Sequence, residues 1–238
     1  MTARRVCIVG PGRAGTSLAR ALAEVGGWEV LPLLARGDDP AAAAGGVDLV
    51  MVATPDGEIA SVARRIRPQD GTVVAHMSGS AGLDVLAPHA RRASVHPLMA
   101  LPTPEVGARR LRGGWFALAG DPLGREVVEA LGGRAFTVDD ADRVLYHAAA
   151  VIASNHLVAL LGQVERIAAT VGVPFEAYLD LVSATVENVR ELGPRAALTG
   201  PAARGDEATI RRHLEALPAD ERDAYRALAE AARRLAAR

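Results

Sequence analysis

The chain has 238 residues, half of them hydrophobic, and a formal net charge of -1. That is enough to bury a substantial core, which excludes a disordered chain, and the balanced charge argues against partners held by a broad basic field, such as nucleic acid or an anionic membrane. All 27 residues of the Lys+Arg total are arginine, so every mechanism that uses a lysine as proton donor is closed.

Cys7 is the single cysteine, which excludes an internal disulfide and a cysteine metal cluster. The histidine-bearing segments offer no third ligand at a recognisable spacing, so no metal is expected. The apolar stretches are interrupted by Gly, Pro, Arg or Asp short of a membrane span, and no basic-then-apolar leader precedes the first strand. A cytoplasmic protein is expected.

The first organised stretch is RRVCIVGPGRAGTSLARAL, Arg4 to Leu22. Val6 to Val9 read as a buried strand, and an amphipathic helix follows. Between them Gly10, Gly12 and Gly15 form G-x-G-x-x-G, with Arg13 and Ala14 inside it. In such a turn the first glycine permits the tight bend, the second lets the backbone approach a pyrophosphate, and the third lets helix and strand pack closely. The helix start supplies free N–H groups and a positive dipole end. A purely packing βα turn is the competing reading.

Trp28 to Ala35 read as the second strand, at whose end a dinucleotide site selects its cofactor. An NAD site usually carries Asp or Glu there, whereas this chain has Arg36, suited to grip a 2′-phosphate, with Arg13 to stack on the adenine. NADP(H) is therefore favoured, although Asp38 and Asp39 follow closely. Pro40 to Gly46 are too short for a full crossover helix. Asp48 to Ala53 make a third strand, and Thr54-Pro55-Asp56 start a helix reaching about Ile66, with Asp56 as its cap and Thr54 beside the nicotinamide ribose.

Thr72 to His76 and Arg92 to His96 are the fourth and fifth strands. Each ends in a histidine and a small-residue or proline turn, the first containing Ser78, a second candidate for the nicotinamide ribose. In a parallel sheet both imidazoles lie on the edge that carries the glycine loop. Gly114 to Ala119 and Ala135 to Val138 are the sixth and seventh strands, with a helix over Pro122 to Leu131. Beyond Asp139 the pattern is helical throughout, so a domain boundary is placed there, giving 1–139 and 140–238.

Asp142 to Val171 form one long helical pattern, apolar around its circumference and expected to be buried on several sides. His147, Ser154 and Asn155 fall within a sector of roughly 100° on it. Such polar groups need partners, which a polar substrate or a neighbouring helix can supply. Helices follow from about Phe175 to Leu192, Glu207 to Leu217 and Ala219 to Ala237. Thr199 and Arg204 lie in the Leu198–Asp206 loop, a candidate carboxylate site, and Asp206 caps the next helix. The last helix reads as a packing or dimer element.

The motifs GPGRAG (Gly10–Gly15), SG (Ser78–Gly79), VHP (Val95–Pro97), HAAAVIASNH (His147–His156) and LTGPAARGD (Leu198–Asp206) resemble a family of two-domain bacterial proteins. These pair an N-terminal Rossmann-like domain with an all-helical domain of unknown function. The wider group is similar to pyrroline-5-carboxylate reductases, deazaflavin-dependent NADP oxidoreductases and 6-phosphogluconate-dehydrogenase-like enzymes, and some members to an alternative type of ketopantoate reductase. The resemblance implies an α/β fold with a Rossmann-like, mostly parallel sheet, followed by an all-α domain like the C-terminal one of 6-phosphogluconate dehydrogenase. It further implies a nicotinamide in the crevice, a substrate between the domains and a homodimer joined through the helical half. The chain lacks the lysine of the usual ketopantoate reductase and the Gly- and Thr-rich loop of pyrroline-5-carboxylate reductases.

The expected function is an NADP(H)-dependent reductase of the C=O or C=N group of a small carboxylic acid. His147 is the first candidate proton donor and His96 the second, with Ser154 or Asn155 orienting the substrate and Thr199 and Arg204 taking its carboxylate. A non-catalytic NADP(H)-binding sensor or scaffold, and an NAD-dependent hydroxyacid or prephenate-type dehydrogenase, are the alternatives.

Overall fold

The computed structural model of the chain describes residues 3–237. The chain divides into two compact units, Met1–Ser154 and Asn155–Arg238. In the first, the apolar runs form β1 (Arg4–Val9), β2 (Trp28–Val30), β3 (Leu49–Val52), β4 (Val73–His76), β5 (Arg92–Pro97), β6 (Trp115–Gly120) and β7 (Arg134–Thr137). They make one seven-stranded sheet in the order β2-β1-β3-β4-β5-β6-β7. All neighbours are parallel except β5 and β6.

Alternation along the strands divides the core into two faces. Val6, Ile8, Leu49, Met51, Val73 and Ala75 point to one side. There they meet Leu18 and Leu22 of α1 (Arg13–Val25), Leu111 of α3 (Pro104–Leu111) and Val127 of α4 (Leu123–Ala130). Cys7, Val9, Val50, Val52 and Val74 point to the other, against Ile59 and Ala63 of α2 (Asp56–Arg65) and against Ala43, Ala44 and Leu86. Those last three lie in or beside short 3₁₀ segments, Pro40–Ala42 and Leu83–Leu86, which replace crossover helices on that face. β3 is buried at all four positions, as a central strand covered on both sides must be.

Two elements differ from expectation. The second strand pairs only over Trp28–Val30, with a lone bridge from Leu34 to Val9, because Pro32 brings no N–H to the ladder. α3 was not read from the sequence, although Thr103 caps it by accepting from the Val106 N–H at 3.3 Å and Pro104 opens its first turn.

Beyond β7 the chain is helical. α5 (Arg143–Val151) is followed by a π-helical turn, Ile152–His156, and then by α6 (Leu157–Thr170), α7 (Phe175–Ala197), α8 (Pro201–Arg204), α9 (Glu207–Ala216) and α10 (Arg222–Ala236). Strand and helix stop alternating at Thr137, whereas the compact units divide at Ser154, because α5 packs with the sheet. Regular helix in α7 ends at Gly193, whose φ of 76° and ψ of 163° kink the chain ahead of Pro194. Asp206 caps α9 by accepting from the Thr209 N–H at 3.0 Å.

On the helical run from Asp140 to Thr170, expected to be buried on several sides between domains or subunits, Val144, Leu145, Ile152 and Val158 are each at least 60% exposed in a single copy of the chain. With a mean hydropathy of 1.6 the run also meets the length and composition of a membrane-spanning helix, contrary to the expectation that no stretch would. His147, Ser154, Asn155 and His156 stud it at intervals, so its apolar surface is not continuous.

The turn after β1 sets how closely the layers approach. Gly10 has φ of 111°, and a Cβ there would lie 2.7 Å from the Ala53 carbonyl oxygen. A Cβ at Gly15 would fall on the Gly10 carbonyl. Both positions require glycine. Replacing Gly10 by Ala should lower folding stability by more than about 1 kcal/mol, read from the midpoint of urea unfolding.

Candidate functional site

The carboxyl ends of β1, β3, β4 and β5 share one edge of the sheet because these strands are parallel. At β1, Gly12 is the N-cap residue of α1, and a Cβ there would meet nothing within 4 Å. Of the three glycines, Gly10 and Gly15 are consumed by packing and Gly12 alone opens toward solvent, beside the first N–H groups of a thirteen-residue helix. That division fits a pyrophosphate laid against the turn. Thr54, just past β3, has a buried hydroxyl with no protein partner, which fits a ligand hydroxyl or phosphate reaching the same edge.

Arg13 is exposed at the start of α1, and Ala14 is half-buried behind it. Arg36 is 91% exposed, and its Nη2 donates to Glu58 Oε1 at 3.1 Å. A surface pair of this kind is held weakly, so Arg36 remains available to a 2′-phosphate. Asp38 and Asp39 are engaged locally: Asp38 Oδ2 accepts from the Ala35 N–H at 2.7 Å, and Asp39 Oδ1 from the Ala41 N–H at 3.1 Å.

Ser78 is buried, and its hydroxyl is committed to the protein. It donates to Asp56 Oδ2 at 2.7 Å and accepts from the Ser80 and Ala81 N–H groups. A contact from this hydroxyl to a nicotinamide ribose would have to break that network, so the structure gives Ser78 a loop-building part instead. Asp56 likewise makes no capping bond in α2; its carboxylate holds Ser78 and Ser80. His76 completes the loop. Its Nδ1 accepts from the Ser78 N–H at 3.2 Å, which leaves the proton on Nε2 to donate to the Gly82 carbonyl at 3.2 Å. Burial, reinforced by the nearby Arg143 charge, lowers the His76 pKa to about 4.

The other strand-terminal histidine is bound differently. His96 Nδ1 lies 2.6 Å from the Tyr146 hydroxyl, a bond that joins β5 to α5 across fifty residues of chain. The His147 ring stands edge-on to His96 with centroids 5.9 Å apart. Both imidazoles lie against the Gly79 backbone, where a Cβ would come within 2.6 Å of His147 and 2.8 Å of His96. Gly79 thus leaves room for the two rings to meet. Burial, with the neighbouring His147 and Arg143, lowers the His96 pKa to about 4, and burial raises Tyr146 to about 12. At neutral pH the pair is an uncharged imidazole joined to an un-ionised phenol.

Arg143 opens α5 one turn before Tyr146 and His147, and its side chain is wholly buried. Burial lowers its pKa against the pull of Asp140. Tyr146 and Arg143 were not singled out from the sequence, while His76 was read only as a strand-terminal imidazole and Gly79 only as part of the Ser78-Gly79 motif. Arg143 and Tyr146 at i, i+3 beside the chosen His147 at i+4 gave the one available signal, a polar stripe on an apolar helix.

Ser154 and Asn155 fall inside the π turn, where the 100° per residue used to align them with His147 does not hold. The Ser154 hydroxyl donates back to the Ala150 carbonyl at 2.7 Å. In the second unit Arg204 is exposed at the end of α8. Thr199 borders a cavity of about 350 Å³ whose walls are mainly apolar, including Leu160, Val164, Ile210 and Leu228.

Residues 29–102 match the model of a Rossmann-like domain, and residues 118–232 that of a domain of unknown function, DUF2520. Three solved structures share the architecture. A Bacteroides fragilis protein provisionally assigned as an NADP oxidoreductase is 20% identical, with 98% of each chain covered and a TM-score of 0.81. A Thermotoga maritima protein is 24% identical, over 97% of this chain and 98% of its own, at 0.73. Plasmodium falciparum pyrroline carboxylate reductase with NADP bound is 13% identical, over 99% of both, at 0.64. At these identities the likeness establishes the fold. No curated protein matches the sequence.

His76 and His96 are neutral in the folded protein down to about pH 4, whereas an unfolded histidine takes up a proton near pH 6.5. Between those values the unfolded state binds more protons, so stability rises with pH there and is lost as pH falls from 6.5 toward 4. Urea denaturation across this range should show the loss, up to about 3 kcal/mol per histidine, and His76→Gln should remove about half of it, the rest being carried by His96.

Proposed function

We propose that the protein is an NADP(H)-dependent reductase of the C=O or C=N group of a small carboxylic acid. The observation that carries this reading is the 2.6 Å bond between Tyr146 and His96, at the sheet edge that also holds the open Gly12 turn and the unpartnered Thr54 hydroxyl. Gly10, Gly12, Ala14 and Gly15 would hold the pyrophosphate, Thr54 the nicotinamide ribose, and Arg36 with Arg13 the adenine and its 2′-phosphate. When bound, the nicotinamide supplies a hydride.

The chain's own part is to deliver the proton. With the Tyr146 O–H donating to Nδ1, the His96 proton sits on Nε2, the nitrogen that faces Gly79 and His147. The anionic oxygen or nitrogen left when a hydride adds to the C=O or C=N carbon is a stronger base than a phenolate. It takes the Nε2 proton, the phenol replaces that proton at Nδ1, and the resulting Tyr146 phenolate recovers its proton from solvent. Tyr146 thus acts through His96, which moves His96 ahead of His147 as donor, and His147 becomes the group that fixes the ring and the substrate. The absence of lysine leaves no amine to compete for this work.

Placement in the cytoplasm and assembly as a homodimer complete the reading. The exposed apolar side chains Val144, Leu145, Val158, Leu181 and Leu192 of the helical elements support a second copy.

Titration with NADPH and NADH by fluorescence, followed by ketopantoate and pyrroline-5-carboxylate as oxidants, tests the reading. Tight NADPH binding with oxidation by either is expected; binding with no oxidation by any keto or imino acid favours a sensor, and no binding of either nucleotide overturns the proposal. Arg36→Ala should weaken NADPH by at least about tenfold while leaving NADH within about threefold. Tyr146→Phe should lower turnover about 100-fold with unchanged NADPH affinity. His147→Ala with a greater loss than His96→Gln would restore His147 as the donor.

A further inference from the structure

Arg143 is a buried cation whose donors are unused. Its side chain has no solvent exposure, and none of Nε, Nη1 and Nη2 has an acceptor in hydrogen-bonding geometry. The nearest carboxylate oxygen, Asp140 Oδ1, lies 3.3 Å from Nε but outside that geometry. Asp140 is itself half in solvent, and its Oδ2 already accepts from the Leu83 N–H at 2.9 Å. A guanidinium taken out of water keeps five directed N–H groups that a single offset carboxylate does not satisfy.

The direction of the side chain follows from the helix. Arg143, Tyr146 and His147 stand at i, i+3 and i+4 and therefore share one face of α5. Tyr146 and His147 meet His96 and Gly79, so that face is turned to the carboxyl ends of β4 and β5. The Arg143 charge acts on His76, His96 and Tyr146 alike. Both imidazoles are uncharged and the phenol is un-ionised, so none of them neutralises it.

We infer that Arg143 is the anchor for the carboxylate of a short keto or imino acid, presenting two parallel N–H groups to it beside the Tyr146–His96 pair. The inference rests on the reductase reading for the identity of the reacting group, but the anion site stands on Arg143 itself. The anion enters first and lies deepest, with the reducible carbon toward His96. Arg143, rather than the exposed Arg204, then fixes the substrate class: a neutral ketone or amide leaves the guanidinium unpaired and is rejected.

The test uses the full chain, with NADPH and without it, and pyruvate, 2-oxoisovalerate, ketopantoate and pyrroline-5-carboxylate as probes, against the neutral amide of 2-oxoisovalerate. Binding is followed by the melting temperature and by the ring-proton NMR shifts of His76 and His96. At least one carboxylate should raise the melting temperature and move both rings, and the amide should do neither. Arg143→Gln should weaken that carboxylate by about 100-fold and Arg143→Lys should recover part of the loss. Without ligand, the Arg143→Met protein should melt no lower than the parent, because it loses a buried, unsatisfied cation.

Carboxylate affinity unchanged in Arg143→Gln overturns the inference, as does failure of all four carboxylates to bind. Loss of NADPH affinity in Arg143→Gln with no carboxylate present overturns it in favour of a cofactor phosphate. A lower melting temperature in Arg143→Met together with unchanged carboxylate affinity makes Arg143 a structural strut. Carboxylate binding that depends on Arg143 in a protein that binds no nicotinamide sustains the anion site and fails the reductase reading, so the two are separable.

Discussion

The close approach of Gly10 to Ala53 is the constraint from which the rest of the site follows. Two backbones touch there where any side chain would hold them apart, and the same contact seats Gly15 and hence α1 on the sheet. Because β1, β3, β4 and β5 run parallel, fixing the height of the first turn fixes the edge at which Thr54, His76 and His96 emerge. The hydrophobic faces decide which layers form. This contact decides where, along the strands, the polar groups end up relative to the open N–H groups of α1.

The two strand-terminal histidines show how one local pattern serves two ends. His76 has both ring nitrogens occupied by the loop that follows it, so it shapes Ser78 and Gly79 and has no proton to offer. His96 is paired through one nitrogen to a phenol on a distant helix and keeps the other near Gly79. Both are kept neutral by burial beside a cation, an arrangement that costs stability in acid and leaves polar groups ready for a ligand.

Much of the fold was legible because strands and glycine turns are local signals. The seven apolar runs, the G-x-G-x-x-G turn and the two histidines at strand ends could be read in order. What was not legible depends on contacts across the chain. Tyr146 is an ordinary helix residue until β5 brings His96 to within 2.6 Å of it. Arg143, the first residue of a helix, reads as a solvated cation, and only tertiary packing reveals that it is wholly buried. Ser78 was read as a ribose contact and Asp56 as a helix cap, and each is instead bonded to the other, 22 residues away. The π turn at Ile152–His156 defeats any face drawn from a constant helical angle, and no residue in IASNH announces it.

The reversal of direction at β6 brings its amino end, Trp115, near the carboxyl end of β5, where Phe116 registers with Pro97. From Trp115 a line of rings runs through Phe136 and Tyr146 to His96, with neighbouring centroids 6.1, 5.8 and 5.6 Å apart. The chain's other tryptophan, Trp28, is buried on β2, at the opposite end of the sheet. Trp115 is 44% exposed and has the Arg134 guanidinium 4.5 Å from its ring centre. The molecule therefore contains a built-in optical reporter: one indole sits in a polar, quenchable setting coupled by ring contacts to Tyr146 and His96, while the other supplies a constant background from the core.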